Sequence, residues 1–230
     1  MTMAPIKYFS TVAVLLSVSA ISFGQDHVKI EPKWEKDFKA KLTHKFDIEL
    51  DQHKAKIDAQ TVWSATMAED GYTLTIHHDA LTIVADENEV TPPYEDYKVV
   101  FDKKSSVSSI SGGINGSNAL RMFLVGHFFA PANDVKKDEA VKWELPPNTK
   151  IELGTLKIQT TFLGSAEVGK FKGYKFKQVV SEEGGEFATE GTYTVTADGH
   201  LLKAEVTFKG MPIPDAGGDA KGKFTATVVE

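Results

Sequence analysis

The clearest signal along the chain is an alternation that starts at Leu42. Leu42, His44, Phe46, Ile48 and Leu50 share one face, while Thr43, Lys45, Asp47 and Glu49 share the other. Successive side chains of an extended backbone point to opposite faces, so this pattern predicts a half-buried strand. The same alternation, or a short β-branched run, recurs at Ala59 to Met67, Gly71 to His78, Leu81 to Val84 and Tyr97 to Phe101. It continues at Val141 to Leu145, Ile151 to Phe162, Gly173 to Val180, Phe187 to Thr196, Leu201 to Phe208 and Lys223 to Val229. Asp198-Gly199 is a hairpin signal between two of these strands. Gln25 to Lys41 reads as a polar lead-in, Ser105 to Asn118 and Met211 to Gly222 as loops, and Glu182 to Gly185 as a turn.

One segment carries a helical period instead. Leu120, Phe123, Leu124, His127 and Phe128 fall on a single stripe, with Ser117 or Asn118 placed to cap it and Pro131 to end it. About ten strands at roughly ten-residue spacing around a lone apolar-striped helix predict a mainly β protein. The expected architecture is an antiparallel curved sheet, half-barrel or barrel-like, with the one α-helix packed across its concave face or an open end. Residues 25–230 are read as a single β-rich domain, with a weak sub-boundary near 131–147.

The first 24 residues stand apart. Lys7 precedes an almost uncharged run from Tyr8 to Ser22, and Ser22-Phe23-Gly24 places small residues at −3 and −1 ahead of Gln25. This is the pattern of a secretory signal peptide cut after Gly24, with a cut after Ala20 as the alternative. The run is too short and too rich in Ser and Thr for a good membrane span, so no integral span is expected in the mature chain. The expected location is the periplasm or cell exterior. Hydrophobic residues at 41% and charged residues at 25% are ordinary globular values, and the formal net charge of −6 argues against nucleic acid as a partner. There is no cysteine, so a hydrophobic core has to hold the protein together and thiol or Cys-metal chemistry is excluded.

No nucleophile elbow, zincin or phosphate-loop motif is present. His77-His78-Asp79 suggests a metal site, but neighbouring residues of a strand face opposite ways, and a ligand such as His44 or His53 would have to join from elsewhere. The expectation is therefore no metal and no cofactor, with the pair as polar residues at a strand end. Asp86 to Glu89, Glu95-Asp96 and Glu182-Glu183 read as solvated turns, and Asn115-Gly116-Ser117 as a chance glycosylation sequon. Phe123, Leu124, His127 and Phe128 are the residues expected to line a pocket between sheet and helix.

Gly191 to Ala204 (strand, Asp-Gly turn, Leu201-Leu202-Lys203, returning strand) resembles the curved sheets of the LolA-like and LppX-like periplasmic half-barrel group. Pro131 to Trp143 resembles a phrase in uncharacterised secreted bacterial domains, although Lys137-Asp138-Glu139 lacks the glycine of that phrase. The likeness covers the C-terminal part of the chain and implies a fold and a ligand class: acyl chains or other apolar moieties between sheet and helix. The leading expectation is thus an exported, non-enzymatic protein that binds an apolar or amphipathic ligand such as a lipid. The alternatives are an envelope protein–protein module using the Thr91 to Tyr94 and Met211 to Pro214 loops, and a hydrolase with a dispersed site using His127 with Asp134.

Overall fold

The computed structural model describes residues 26–35, 38–90, 95–102, 106–112, 117–212 and 218–229. The signal-peptide reading, the Thr91 to Tyr94 loop, most of the sequon, and Ile213-Pro214 lie outside these residues, as do the side chains of Ser117 and Asn118. The elements in chain order begin with β1 (His27–Val28), β2 (Lys39–Leu50), β3 (His53–Ala68), β4 (Gly71–Ala85), β5 (Asn88–Val90), β6 (Tyr97–Asp102) and β7 (Val107–Ser111). After the helix α1 (Ser117–Gly126) come β8 (Val135–Lys136), β9 (Ala140–Leu145), β10 (Leu156–Val168) and β11 (Phe171–Glu182). The chain ends with β12 (Ala188–Val195), β13 (Leu201–Pro212) and β14 (Asp219–Val228).

The protein is mainly β. Twelve strands form one antiparallel sheet in the order β7-β6-β4-β3-β2-β14-β13-β12-β11-β10-β9, with β5 added beside β4. Two hairpin meanders, one on each side of α1 in the chain, are welded by a single non-sequential pairing: β14 runs against β2, from Lys221↔Glu49 to Val228↔Leu42. The sheet does not close. β7 and β9 remain as its two edges, and Asn148 Nδ2 reaches across the seam, donating to the Val107 carbonyl at 3.0 Å. The expected curved sheet with one packing helix is what forms.

The inward face follows the alternation. Leu42, Phe46 and Ile48 of β2 are buried, as are Tyr174, Phe176 and Val180 of β11 and Ala204, Val206 and Phe208 of β13. Full burial of a Phe or Leu side chain contributes about 1.5–3 kcal/mol, and with no disulfide this core carries the fold.

Several local expectations are corrected, each by a tertiary partner. Ser106 to Ser111 is not all loop: Val99↔Ile110 and Phe101↔Val107 pair β6 with β7, so a backbone ladder overrides the serine-rich composition. His77 and His78 are not at a strand end. β4 runs on through them, with a bulge opposite Gln60 and Thr61 of β3 in which Asp79 is the extra residue. Ile151 belongs to a 3₁₀ turn (Thr149–Ile151), whose amide end is capped by Asn148 Oδ1 accepting from Lys150 N at 3.1 Å. Glu182 is no solvated turn residue. It ends β11 buried, with Arg121 Nη2 of α1 donating to its Oε1 at 2.9 Å and Gly154 N donating to the same oxygen at 2.8 Å.

The helix also stops short of Pro131, at Gly126. The reason lies on the sheet. The Tyr193 hydroxyl of β12 donates to the Val125 carbonyl at 3.0 Å, and Gln178 of β11 takes both backbone groups of Phe129. Its Nε2 donates to the carbonyl at 2.8 Å, while its Oε1 accepts from the amide at 3.1 Å. Side chains thus satisfy backbone groups that another helical turn would otherwise have to pair.

Gly126 allows α1 to sit this deep. A β-carbon there would lie 2.8 Å from Phe224 Cε1, and Phe224 is itself buried. In an exposed helix, Gly→Ala gains about 1 kcal/mol. Here we expect Gly126→Ala to lose about 1–3 kcal/mol through overpacking, read as a lower urea midpoint with unchanged slope. For the buried pair, Arg121→Met is expected to cost about 3–5 kcal/mol, because Glu182 is left charged and unpaired. The double variant Arg121→Met/Glu182→Met should recover most of that loss in the same measurement.

Candidate functional site

α1 lies on the concave face against β13 and β14 and borders two hollows. The first lies between α1 and the β2–β3–β4 face and has a volume of about 110 Å³. Ala119, Met122, Phe123 and Gly126 form its helical wall; β2, β3, β4, β6 and β14 supply the rest. Its lining is almost wholly apolar, with polar groups at His44, Thr61 and His78. A hollow of this order is of the size that accepts a benzene-sized guest. Ile57, Leu81 and Ile83 on its wall are only half-buried, so apolar surface continues from the hollow toward solvent.

The polar groups of this hollow form a short relay. Trp63 Nε1 donates to Thr61 Oγ1 at 3.0 Å, and the same hydroxyl lies 2.8 Å from His44 Nε2. The His44 ring stacks at 5.9 Å on Trp63. Burial first, and the neighbouring His78 second, push the His44 pKa down to about 4, so the ring is neutral at ordinary pH. Burial likewise lowers His78.

His77 points away from the hollow, to Asp96 Oδ1 at 2.7 Å, and His53 sits exposed against Asp86. Among the described residues no three His, Cys, Asp or Glu side chains come close enough to hold a metal ion.

The second hollow is a cleft of about 950 Å³ on the seam between the sheet edges. The segment after α1 floors it, and the N-terminal segment from Lys29 to Trp34, the β7 edge, Trp143 of β9 and the Pro146-Pro147 turn surround it. The N-terminal segment is held in place by β1 pairing with β8, by Glu31 N donating to the Ala197 carbonyl, and by His200 Nε2 against the Lys33 carbonyl at 2.7 Å.

The four residues expected to line a pocket therefore divide between the two hollows. Phe123 borders the first, and Leu124, His127 and Phe128 border the second. Leu124 and Phe128 are also core residues, at 1% and 7% exposure. His127 sits among the rings of Phe101, Phe123 and Phe129 at 5.4, 5.1 and 4.8 Å, and with them forms an aromatic partition between the hollows. Burial pushes its pKa down to about 4. Asp134 is exposed and makes no contact with His127, so the proposed His127–Asp134 hydrolytic pair is not assembled.

Sequence reasoning missed Thr61, Trp63, Trp34, Trp143, Arg121, Gln178 and Tyr193. Gln178 was readable in part, since it falls in phase with Tyr174, Phe176 and Val180 on the buried face. Arg121 and Tyr193 depend on contacts between segments far apart in the chain.

These histidines give stability a pH dependence. An unfolded histidine titrates near 6.5, whereas folded His44 and His127 do so near 4. As pH falls from about 6.5 toward 4 the unfolded chain gains protons that the fold refuses, so stability is present above that window and lost within it. Each of the two is expected to contribute roughly 1–3 kcal/mol of this loss. Urea midpoints at pH 7 and pH 4.5 check this, and His127→Phe, which keeps the ring packing, should flatten the dependence.

Among the described residues no helix is long and apolar enough to cross a membrane. The chain matches no family model, no curated protein and no solved structure.

Proposed function

We propose that this chain is an exported, non-enzymatic binding protein that holds an apolar or amphipathic small molecule, such as an acyl chain, between its concave sheet and α1. The observation that supports this most directly is the first hollow: an apolar cavity at the sheet–helix interface whose few polar groups, His44, Thr61 and His78, are held on neighbouring strands. Ligand sites of this kind combine an apolar lining with a few placed polar groups that fix orientation. In this reading the apolar body enters past Ile57 and Ile83, and the polar end meets the neutral imidazoles. An anion would gain nothing there, because His44 carries no charge until about pH 4.

The test is native mass spectrometry of the protein from its own host, before and after solvent extraction. A discrete additional mass that extraction removes is expected. Ala59→Trp, which puts an indole into the hollow from β3, should lose that mass while keeping the wild-type circular dichroism spectrum. A bare polypeptide mass from the wild type, or the same adduct on a folded variant, would overturn the proposal.

A further inference from the structure

The hydrogen bonds around His44 fix where its proton sits. At ordinary pH the ring is neutral, so one nitrogen carries a proton and the other accepts. Trp63 Nε1 can only donate, and it does so to Thr61 Oγ1 at 3.0 Å. Thr61 is buried at 2% exposure, and its hydroxyl has one proton to give; the acceptor it meets is His44 Nε2 at 2.8 Å. Were Nε2 protonated instead, that hydroxyl proton would be buried with no acceptor among the described residues. The relay therefore runs one way, from Trp63 to Thr61 to His44, and leaves the His44 proton on Nδ1.

That Nδ1–H is a donor still without an acceptor. The two nitrogens of an imidazole face nearly opposite ways, so with Nε2 on Thr61 the Nδ1 turns away from it. It makes no hydrogen bond among the described residues, and unlike the sealed indole nitrogens of Trp34 and Trp143 it retains accessible surface. The cross-strand neighbours of His44 are Ala59 of β3 and Ala226 of β14, whose methyl groups accept nothing. His44 stands on the inward face of β2, in phase with Leu42 and Phe46, and its ring lines the sheet–helix hollow. The open side of the ring is thus the hollow.

The polar end of an occupant has to match this donor. Among the described residues no Lys, Arg, Asp or Glu lines the hollow, so a carboxylate or ammonium would be buried there without a counter-ion. An end that can only donate leaves Nδ1–H unanswered. We infer that the hollow selects a neutral chain whose polar end is an acceptor oxygen, the carbonyl of a ketone, aldehyde or ester, and that His44, held in one tautomer by Thr61 and Trp63, makes the selection. The carbonyl oxygen accepts from Nδ1–H, and the alkyl remainder lies along Phe46, Ile57 and Ile83 toward solvent. This rests on the hollow being a ligand site, as proposed above, and adds the identity of the polar end and the residue that reads it.

The tautomer and the hydrogen bond are separately measurable. Long-range ¹H–¹⁵N spectra of the labelled full chain at neutral pH report which His44 nitrogen is protonated, with His44→Phe assigning the ring. Methyl heptyl ketone carrying ¹³C at its carbonyl is then titrated, with nonane as the probe that lacks an acceptor and nonanoate as the anionic one. The expected results are the Nδ1–H tautomer, saturable binding of both neutral probes, weaker binding of nonanoate, and a bound C=O stretch at lower frequency than that of the same ketone dissolved in nonane. The affinity for the ketone relative to nonane should fall about three- to tenfold in His44→Phe, the value of one hydrogen bond. Thr61→Val, which keeps His44 but frees its tautomer, should lower that ratio as well. An Nε2–H tautomer in the wild type would overturn the inference, and that result needs no variant to fold. So would nonanoate binding more tightly than the ketone. A carbonyl stretch and an affinity ratio unchanged in a folded His44→Phe would overturn it while leaving the hollow as a ligand site. Binding of neither neutral probe would remove the ligand site itself, and the role of His44 with it.

Discussion

The arrangement rests on the attachment of one short helix to the inside of a sheet through its own backbone. Glu182, Gln178 and Tyr193 all project from the buried faces of β11 and β12. They reach, in turn, the Arg121 guanidinium, the Phe129 amide and carbonyl, and the Val125 carbonyl. Burial holds the Tyr193 phenol well above its ordinary pKa, so it remains a donor. Each of these groups would be costly to bury alone; together they are satisfied, and the satisfied set has one geometry. Thr160 of β10 adds to it by accepting from Gln178 Nε2 at 2.9 Å.

Because the pins lie on β11 and β12, α1 is anchored to the C-terminal half of the sheet. Across β2, β3 and β4 it meets the N-terminal half through apolar side chains. That asymmetry explains where space is left. On the pinned side Phe128, Phe162 and Phe176 interlock with ring centroids 5.0 and 5.4 Å apart. On the other side Met122 and Phe123 face strands whose lining residues include the small Ala59 and Thr61, and a hollow remains. Gly126 sets the depth by letting the helix backbone approach the Phe224 ring.

The seam has a related origin. A meander of this length closes into a barrel only if its end strands pair. Here β7 is short, β9 is followed by two prolines, and the segment from Lys29 to Trp34 lies beside the gap. The edges stay apart, Asn148 reaching across to the Val107 carbonyl, and the cleft between them is lined by residues that include Trp34, Trp143, Pro146 and Pro147.

What the sequence by itself determined is the class of fold: period-two alternation from Leu42 onward, the Asp198-Gly199 hairpin, where Thr196 N donates to the His200 carbonyl at 2.9 Å, and a single apolar helical stripe. These are local signals, encoded by side-chain type against backbone geometry, and they survive folding because the inward face has to be apolar. Only the tertiary structure decided the pairing of β14 with β2, the strand inside the serine-rich segment, the end of α1 at Gly126 and the burial of Glu182. It also decided that Phe123 borders one hollow and His127 another. Each of these turns on a partner distant in the chain, such as Arg121 for Glu182 or Gln178 for Phe129. A buried charge and a solvated one look the same in sequence until the group that compensates it has been brought alongside.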